Sequence, residues 1–233
     1  MTKGIVYLIP SLLDEENVTS IPAYVLGAIN DCEIFFAENE RTARRYLKKL
    51  QKDIVIDRYE WITISDEPAI PALFRQKLKD GKRIGIISEA GCPGVADPGQ
   101  SLVEIAHELN AVVKPLAGPN AILMTLMASG MNGQRFQFLG YLPIKEVERI
   151  RAIKELEAES HKKNCTQLFI ETPYRNNQLI DALLKHCRPT THLCIASGLS
   201  SSTEQIHTRT IAQWKQQKPD LHKVPATFCL LAR

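Results

Sequence analysis

Ile86-Ile87-Ser88-Glu89-Ala90-Gly91-Cys92-Pro93-Gly94-Val95-Ala96-Asp97-Pro98-Gly99 is the stretch that decides the fold. An apolar run beginning at Arg83 ends at Ile87 and opens into a loop with three glycines, two prolines and two carboxylates. A helical pattern follows from about Pro98 through Leu102, Ile105, Ala106 and Leu109. Strand, shaped loop and helix together form the repeating piece of a parallel sheet, and open sheets of this kind bind ligands at the carboxyl ends of their strands. Glycine lets backbone approach a ligand closely, and proline fixes the path of the loop. The segment Gly118-Pro119-Asn120-Ala121-Ile122 comes directly after the next strand and reads as a further part of the same site.

Outward from this loop the chain alternates. Strands are predicted at Gly4 to Ile9, Glu33 to Ala37, Ile84 to Ile87 and Ala111 to Lys114, with short extended pieces between Ile54 and Ile64. The extended pieces between Ile54 and Ile64 number one or two, and helices are predicted at Ile21 to Ile29, Arg41 to Leu50, Pro68 to Leu78, Pro98 to Leu109 and Asn120 to Met131. Such alternation predicts βαβ units. The pattern restarts with strands at Phe136 to Leu139, Gln167 to Glu171 and His192 to Ala196, separated by helices at Lys145 to Ser160 and Tyr174 to Cys187. It ends differently, with an alternating strand at Glu204 to Arg209, a short helix at Ile211 to Gln217 and an apolar strand at Ala226 to Leu231. Consecutive strands without long helices between them predict an antiparallel portion. The expectation is an α/β protein of two domains, 1–116 with a mostly parallel sheet and 117–233 with a mixed sheet.

Composition sets the bounds. The chain has 233 residues, 44% hydrophobic and 24% charged, with a formal net charge of +3. It is long enough to bury a sizeable core, and its charge is too mild to announce a nucleic-acid partner. The six cysteines form no C-x-x-C pair and lie mostly in apolar runs, so buried free thiols are expected. The stretch Ile5 to Leu13 lacks the basic start and small-residue cleavage site of an export signal, and Ala117 to Met131 is too mixed for a membrane span. A cytoplasmic location is the expectation. No glycine-rich turn follows Ile9, which argues against a Rossmann dehydrogenase.

The candidate residues carry plain readings too. Asp97, just before Pro98, fits a helix N-cap as well as a ligand contact. Glu171 closes a strand and fits a solvated strand end, and Tyr174 and Arg175 fit the surface start of a helix. Met124, Met127 and Met131 recur at helical spacing and are expected to pack in a core. The histidines show no metal spacing, and no metal is expected. Arg41, Arg44, Arg45, Lys48 and Lys49 form a basic helix face that suits either phosphate contact or plain solvation. Lys145, Arg149, Arg151 and Lys154 are interleaved with glutamates, so ion pairs on a solvated helix are expected there.

The ordered motifs resemble the tetrapyrrole methylase superfamily, and within it the ribosomal RNA small subunit methyltransferase I branch. The resemblance rests on Ser88-Glu89-Ala90-Gly91-Cys92-Pro93, Ala96-Asp97-Pro98-Gly99 and Leu116-Ala117-Gly118-Pro119. It continues through Ala128-Ser129-Gly130, Arg135-Phe136, Gly140-Tyr141-Leu142-Pro143 and Glu171-Thr172-Pro173-Tyr174-Arg175. It implies two α/β domains with S-adenosylmethionine in the cleft between them. The donor would draw on Ile9, Pro10, Glu89, Gly91, Pro93, Val95, Ala96, Asp97, Asn120 and Ala121, and on Ile170, Glu171, Leu199, Pro225 and Ala226. It implies a homodimer and, as acceptor, a ribose 2′-hydroxyl of small-subunit ribosomal RNA. A tetrapyrrole or another small molecule is the alternative acceptor. No catalytic residue is singled out, because displacement at an activated sulfonium chiefly needs positioning. Cys92 is not needed as a nucleophile. Where the branch has Glu-Leu-Thr-Lys, this chain has Gly198-Leu199-Ser200-Ser201. The missing acid and lysine leave open a third reading, a module that binds the donor without transferring its methyl group.

Overall fold

Val6, Ile9, Phe35, Phe36, Ile84 and Ile86 are sealed from solvent on both faces of one sheet, as expected of parallel strands covered by helices on either side. The computed structural model describes residues 4–65 and 67–233. These fall into two units, Met1–Asn120 and Ala121–Arg233. The sequence pattern puts the boundary at 116/117. The strap from Leu116 to Pro119 stays with the first unit because Gly118 packs on Pro10 so closely that a Cβ would lie 2.1 Å from the proline's Cβ.

In unit 1 the strands are β1 (Ile5–Ile9), β2 (Ile34–Ala37), β3 (Glu60–Thr63), β4 (Arg83–Ile87) and β5 (Val112–Pro115). They lie in the order β3-β2-β4-β1-β5, every pair parallel. The helices are α1 (Val25–Asp31), α2 (Glu40–Leu50), α3 (Ala69–Lys79) and α4 (Gln100–Glu108). Residues of α1 and α2 pack on one face of the sheet with Tyr7, Ile9 and Phe35, while α3 and α4 pack on the other with Val6, Phe36 and Ile84. Chains leaving adjacent strands therefore diverge to opposite faces, which opens crevices at the carboxyl ends of β2, β4 and β1. Register aligns those ends, with Ile9 and Ala37 both opposite Ile87.

Unit 2 begins with α5 (Ala121–Ser129). It continues with β6 (Phe136–Tyr141), α6 (Glu146–Lys163), β7 (Thr166–Ile170), α7 (Asn176–His186) and β8 (His192–Ser197). The last elements are β9 (Gln205–Thr210), α8 (Ile211–Gln216) and β10 (Ala226–Leu231). The sheet order is β6-β7-β10-β8-β9. Only β6 and β7 are parallel, and every other pair is antiparallel, so the sheet is mixed. Alternation along the strands splits the core. Phe169, Leu193, Ile195 and Phe228 face α6, α7 and α8, while Leu168, Cys194 and Cys229 face Leu126 of α5.

Several expectations need correction. Helix α1 starts at Val25 rather than Ile21, because Pro22 to Tyr24 form a turn ahead of it. Between Ile54 and Ile64 the expectation of one or two extended pieces is met by one strand, Glu60–Thr63, preceded by a 3₁₀ turn at Ile56–Arg58. Of the three methionines expected in a core, Met131 packs against the Leu126, Leu168, Cys194 and Cys229 cluster and Met124 is half-buried, but Met127 is 82% exposed, because the inward side of α5 carries Thr125, Leu126 and Ser129. Arg149 is not on a solvated face but buried. Of the other basic residues in that cluster, Arg151 pairs with Glu155 at 2.7 Å and Lys145 with Glu148 at 3.5 Å, as expected, while Lys154 forms no ion pair among the described residues. Five cysteines are buried thiols and Cys92 is partly exposed. Among the described residues, no helix is long and apolar enough to cross a membrane.

Candidate functional site

At the carboxyl end of the unit 1 sheet, backbone conformation builds the loops before any side chain acts. Gly91 and Gly94 take φ of +75° and +80°, a region that side chains with a Cβ rarely adopt. Ala96 enters the same region at +56° without being glycine, a local strain that the surrounding loop must hold. Asp97 supplies that hold. Its Oδ1 accepts from the Gly94 N–H at 3.1 Å and the Gly99 N–H at 2.7 Å. Asp97 is not the N-cap of α4. Gly99 occupies that position, and no side chain caps it. The second oxygen of Asp97, Oδ2, is sealed from solvent with no hydrogen-bond partner among the described residues.

The β1 loop closes on this one. Ser11 and Gly91 exchange backbone hydrogen bonds at 2.7 and 3.2 Å, and the Ser11 hydroxyl donates to the Ser88 carbonyl at 2.7 Å. Pro10 follows the buried Ile9, and its carbonyl accepts from the Tyr46 hydroxyl at 2.6 Å. Pro93 is buried, whereas Val95 and Ala96 project to solvent. The strap Gly118-Pro119 lies over the loop, with the Cys92 thiol 3.5 Å from the Pro119 carbonyl. Asn120 ends unit 1 and Ala121 begins unit 2.

Three carboxyl groups meet here. The Glu89 N–H donates to Glu38 Oε2 at 2.8 Å, and Glu89 Oε1 accepts from the Thr42 hydroxyl at 2.9 Å. Burial raises the Glu38 carboxyl above the ordinary glutamate range. The Glu89 N–H lowers it, and the neighbouring Asp97 and Glu89 charges and a side-chain hydrogen bond shared with the Asp97 carboxyl raise it further. Glu38, Glu89, Asn39, Ser65 and Ser101 line a cavity of about 440 Å³, a size that suits a small ligand. None of these three carboxylates forms an ion pair among the described residues. Sequence reasoning names Glu89 and Asp97 but leaves Glu38 out of the site. Its position directly after four consecutive apolar residues of β2 is the available signal.

The basic face of α2 is less free than its sequence suggests. Arg44 pairs with Glu40 at 2.8 Å, Arg45 with Glu15 at 2.6 Å, and Lys49 with Glu15 and Glu16 at 3.1 and 3.3 Å. Helix-mates and the β1 loop thus neutralise most of the cluster.

In unit 2 the sequence-derived residues gather at one end of the sheet. Ile170 ends β7 opposite Thr227 of β10, and Ala226 lies opposite Ser197 of β8. The Gly198 N–H donates to the Pro225 carbonyl at 3.0 Å, which ties the buried Leu199 loop to the start of β10. Glu171 is no solvated strand end. Its Oε1 accepts from the Thr172 N–H at 2.7 Å and from Arg175 Nε and Nη2 at 3.0 and 2.6 Å. The pair raises the Arg175 guanidinium further and consumes its charge. Glu171 Oε2 remains sealed and unpartnered among the described residues, as does Asn176 Oδ1. The histidines, cysteines and carboxylates form no group that could hold a metal ion among the described residues.

Comparison with known proteins adds the following. The family model for tetrapyrrole (corrin/porphyrin) methylases matches residues 17–214. A ribosomal RNA small subunit methyltransferase I of Buchnera aphidicola subsp. Acyrthosiphon pisum is 27% identical over 225 residues, covering 94% of this chain and 76% of that protein. The protein of the same name in Helicobacter pylori is 30% identical over 227 residues, covering 89% and 75%. Among solved structures, the methyltransferase CobJ superposes with a TM-score of 0.63 at 14% identity, covering 100% of this chain and 95% of that one. A diphthine synthase gives 0.67 at 12% identity, covering 98% and 89%. At these identities the structural likenesses establish the fold.

Proposed function

We propose that this chain, which belongs to the tetrapyrrole (corrin/porphyrin) methylase family of S-adenosylmethionine-dependent methyltransferases, places its methyl group on a ribose 2′-hydroxyl of small-subunit ribosomal RNA. The carboxyl cluster at the carboxyl end of the unit 1 sheet carries the donor part of this reading. The donor bears a positive sulfonium and an amino group, and it supplies an already activated methyl group. Glu38, Glu89 and Asp97 offer negative charge with no protein cation bonded to it among the described residues.

Ile9, Pro10, Glu89, Gly91, Pro93, Val95, Ala96 and Asp97 are therefore assigned to donor binding, with Asn120 and Ala121, which directly follow the Gly118-Pro119 strap. The strained backbone at Ala96 lies at an exposed part of the loop, and Asp97 holds the turn around it through the Gly94 and Gly99 N–H groups. The unit 2 cluster of Ile170, Glu171, Leu199, Pro225 and Ala226 is assigned to ligand contact on a separate ground, the sealed unpartnered oxygen of Glu171. The chain's work in the reaction is to hold donor and acceptor in line, which converts a bimolecular encounter into an oriented one.

The RNA acceptor is supported by the relatives named for it, which align with nearly the whole chain. The family's description favours a tetrapyrrole as the second acceptor reading. A homodimer in the cytoplasm completes the proposal, the former checked by light scattering. The deciding experiment is transfer of a labelled methyl group from S-adenosylmethionine to undermethylated small ribosomal subunits. Label fixed in the RNA is the expected result. No label, with donor binding intact by calorimetry, would overturn the RNA acceptor and leave a small-molecule acceptor or a binding-only module.

A further inference from the structure

Strand β9 forms one edge of the unit 2 sheet. Its Gln205, His207 and Arg209 lie opposite Ser197, Ile195 and Leu193 of β8. Directly paired residues share a face, so these three stand on the side packed by α6, α7 and α8. Helix α8 follows at once, started by a capping box between Thr210 and Gln213. It buries Trp214, whose indole N–H donates to the Leu193 carbonyl at 2.8 Å. The chain then crosses to α7, where the Asn177 side chain accepts from the Leu221 N–H at 2.9 Å and donates to Asp220 at 2.7 Å. Lys218 joins this tether by pairing with Asp181 at 2.6 Å. A cavity of about 260 Å³ is left here, lined by Gln205, His207 and Arg209 of the strand and by Gln217, Lys218 and Asp220 of the tethered loop.

Arg209 brings an uncancelled charge to this cavity. Its guanidinium lies 4.9 Å over the Trp214 ring and donates through Nη1 to the Gln217 side-chain carbonyl at 2.7 Å. Ring and amide are both neutral, so they fix the plane of the group and leave its charge whole. No carboxylate pairs with Arg209 among the described residues. Asp181 is taken by Lys218, and the Asp220 carboxyl is held below the ordinary aspartate range by the Asn177 amide and the His222 N–H. The other N–H groups of Arg209 have no acceptor among the described residues and, unlike those of Arg149, are not sealed from solvent. The Gln205 and Gln217 amides and the His207 ring add neutral donors. Ile195, Pro219 and Leu221 supply an apolar part of the lining.

A fixed guanidinium with no counter-ion, flanked by neutral donors, matches the oxygens of a phosphate group. The apolar part suits an organic body attached to that group. We propose that this cavity binds a phosphate ester, with the Arg209 fork on the phosphate oxygens and the glutamine amides beside it. Neither donor binding nor methyl transfer requires this site. An RNA chain and a free nucleotide carry the same group, and the experiment separates them.

The test is calorimetric titration of the full chain with uridine 5′-monophosphate, with uridine and with a short single-stranded oligouridylate. Uridine replaces adenosine so that a site for S-adenosylmethionine does not compete. Uridine 5′-monophosphate is expected to bind and uridine not to bind, which assigns the affinity to the phosphate. Arg209→Met is expected to weaken binding about tenfold, and Arg209→Lys to recover part of it, because the charge stays and the fork is lost. Trp214 reports the place of binding. The chain has two tryptophans, so in Trp61→Phe it is the sole one. Its emission is expected to shift on adding uridine 5′-monophosphate, and to stay constant once Arg209→Met is combined with Trp61→Phe. Should Trp61→Phe fail to fold, the Arg209 calorimetry decides. Oligouridylate binding tighter than the mononucleotide, with a salt slope about 0.7 smaller in Arg209→Met, assigns the phosphate to an RNA chain. Equal affinity assigns it to a free nucleotide. Arg209→Met binding as the wild type does, uridine binding as well as its phosphate, or neither phosphate probe binding would overturn the site. Ribosomal RNA labelled in the methyl-transfer assay beside such a result would leave the proposed function standing. Phosphate bound through Arg209 without labelled RNA would overturn the RNA acceptor and leave this site.

Discussion

Both units place a carboxylate of the candidate site at the end of a central strand, and they treat it in opposite ways. In unit 1, Asp97 and Glu38 are held by backbone N–H groups of Gly94, Gly99 and Glu89. In unit 2, Glu171 is held by Arg175 and the Thr172 N–H. Backbone donors orient a carboxylate and leave its net charge in place, whereas a guanidinium cancels it. The unit 1 end therefore stays anionic and suits a cationic ligand. The unit 2 end is internally neutral. Alike in residue type, the two ends differ in the charge they offer.

The strongest way to break this contrast is at the strap that shapes the unit 1 end. Gly118→Ala would drive a Cβ to 2.1 Å from Pro10. A loss of about 2 kcal/mol in chemical denaturation is expected, since neither partner is a flexible side chain. Unchanged stability would mean the strap does not lock this end. Asp97 separates shape from charge at the next magnitude. Asp97→Ala removes both backbone bonds and is expected to lower donor affinity about tenfold in calorimetry. Asp97→Asn keeps an acceptor for Gly94 and Gly99 while losing the charge. If the asparagine variant binds the donor as the wild type does, the residue works by shape alone, and the charge contrast between the units does not concern it.

Glu38 gives the smallest effect and the clearest sign. Its folded carboxyl is raised above the unfolded range. Stability from this group is thus fully present below the unfolded value and is lost as pH rises through the folded one. Glu38→Gln is expected to melt slightly higher than wild type near neutral pH, with the difference closing towards about pH 4. A gap that stays constant across that range would show that the group's ionisation is not perturbed by the site.

Much of the fold is legible in the order of residues alone. The strands β1, β2 and β4 show as uninterrupted apolar runs because both faces are covered, and the loops between them show through glycine and proline. Three consecutive strand patterns joined only by a six-residue helix foreshadow the mixed sheet of unit 2. Glu89, Gly91 and Asp97 stand out from the loop's composition, and folding brings them to one end of the sheet. Glu38 does not, because its neighbours in space come from a loop fifty residues away. Arg149 reads as solvated because its helix is charged throughout, and periodicity cannot show which arginine turns inward. Met127 of α5 misleads for the converse reason. A helix without charges has no polar face to mark its outside.

By itself, then, the sequence determined the alternation of elements, the loop chemistry after β4 and the family to which these belong, because each depends on residues adjacent in the chain. The tertiary structure alone decided that Asp97 laces its loop instead of capping α4, that Arg175 cancels Glu171, that Glu15, Glu16 and Glu40 pair with Arg44, Arg45 and Lys49 of α2, and that Arg149 is left without a counter-ion among the described residues. Net charge at a site is a sum over neighbours in space, and falls with their distance, so it is fixed only when the chain has brought those neighbours together.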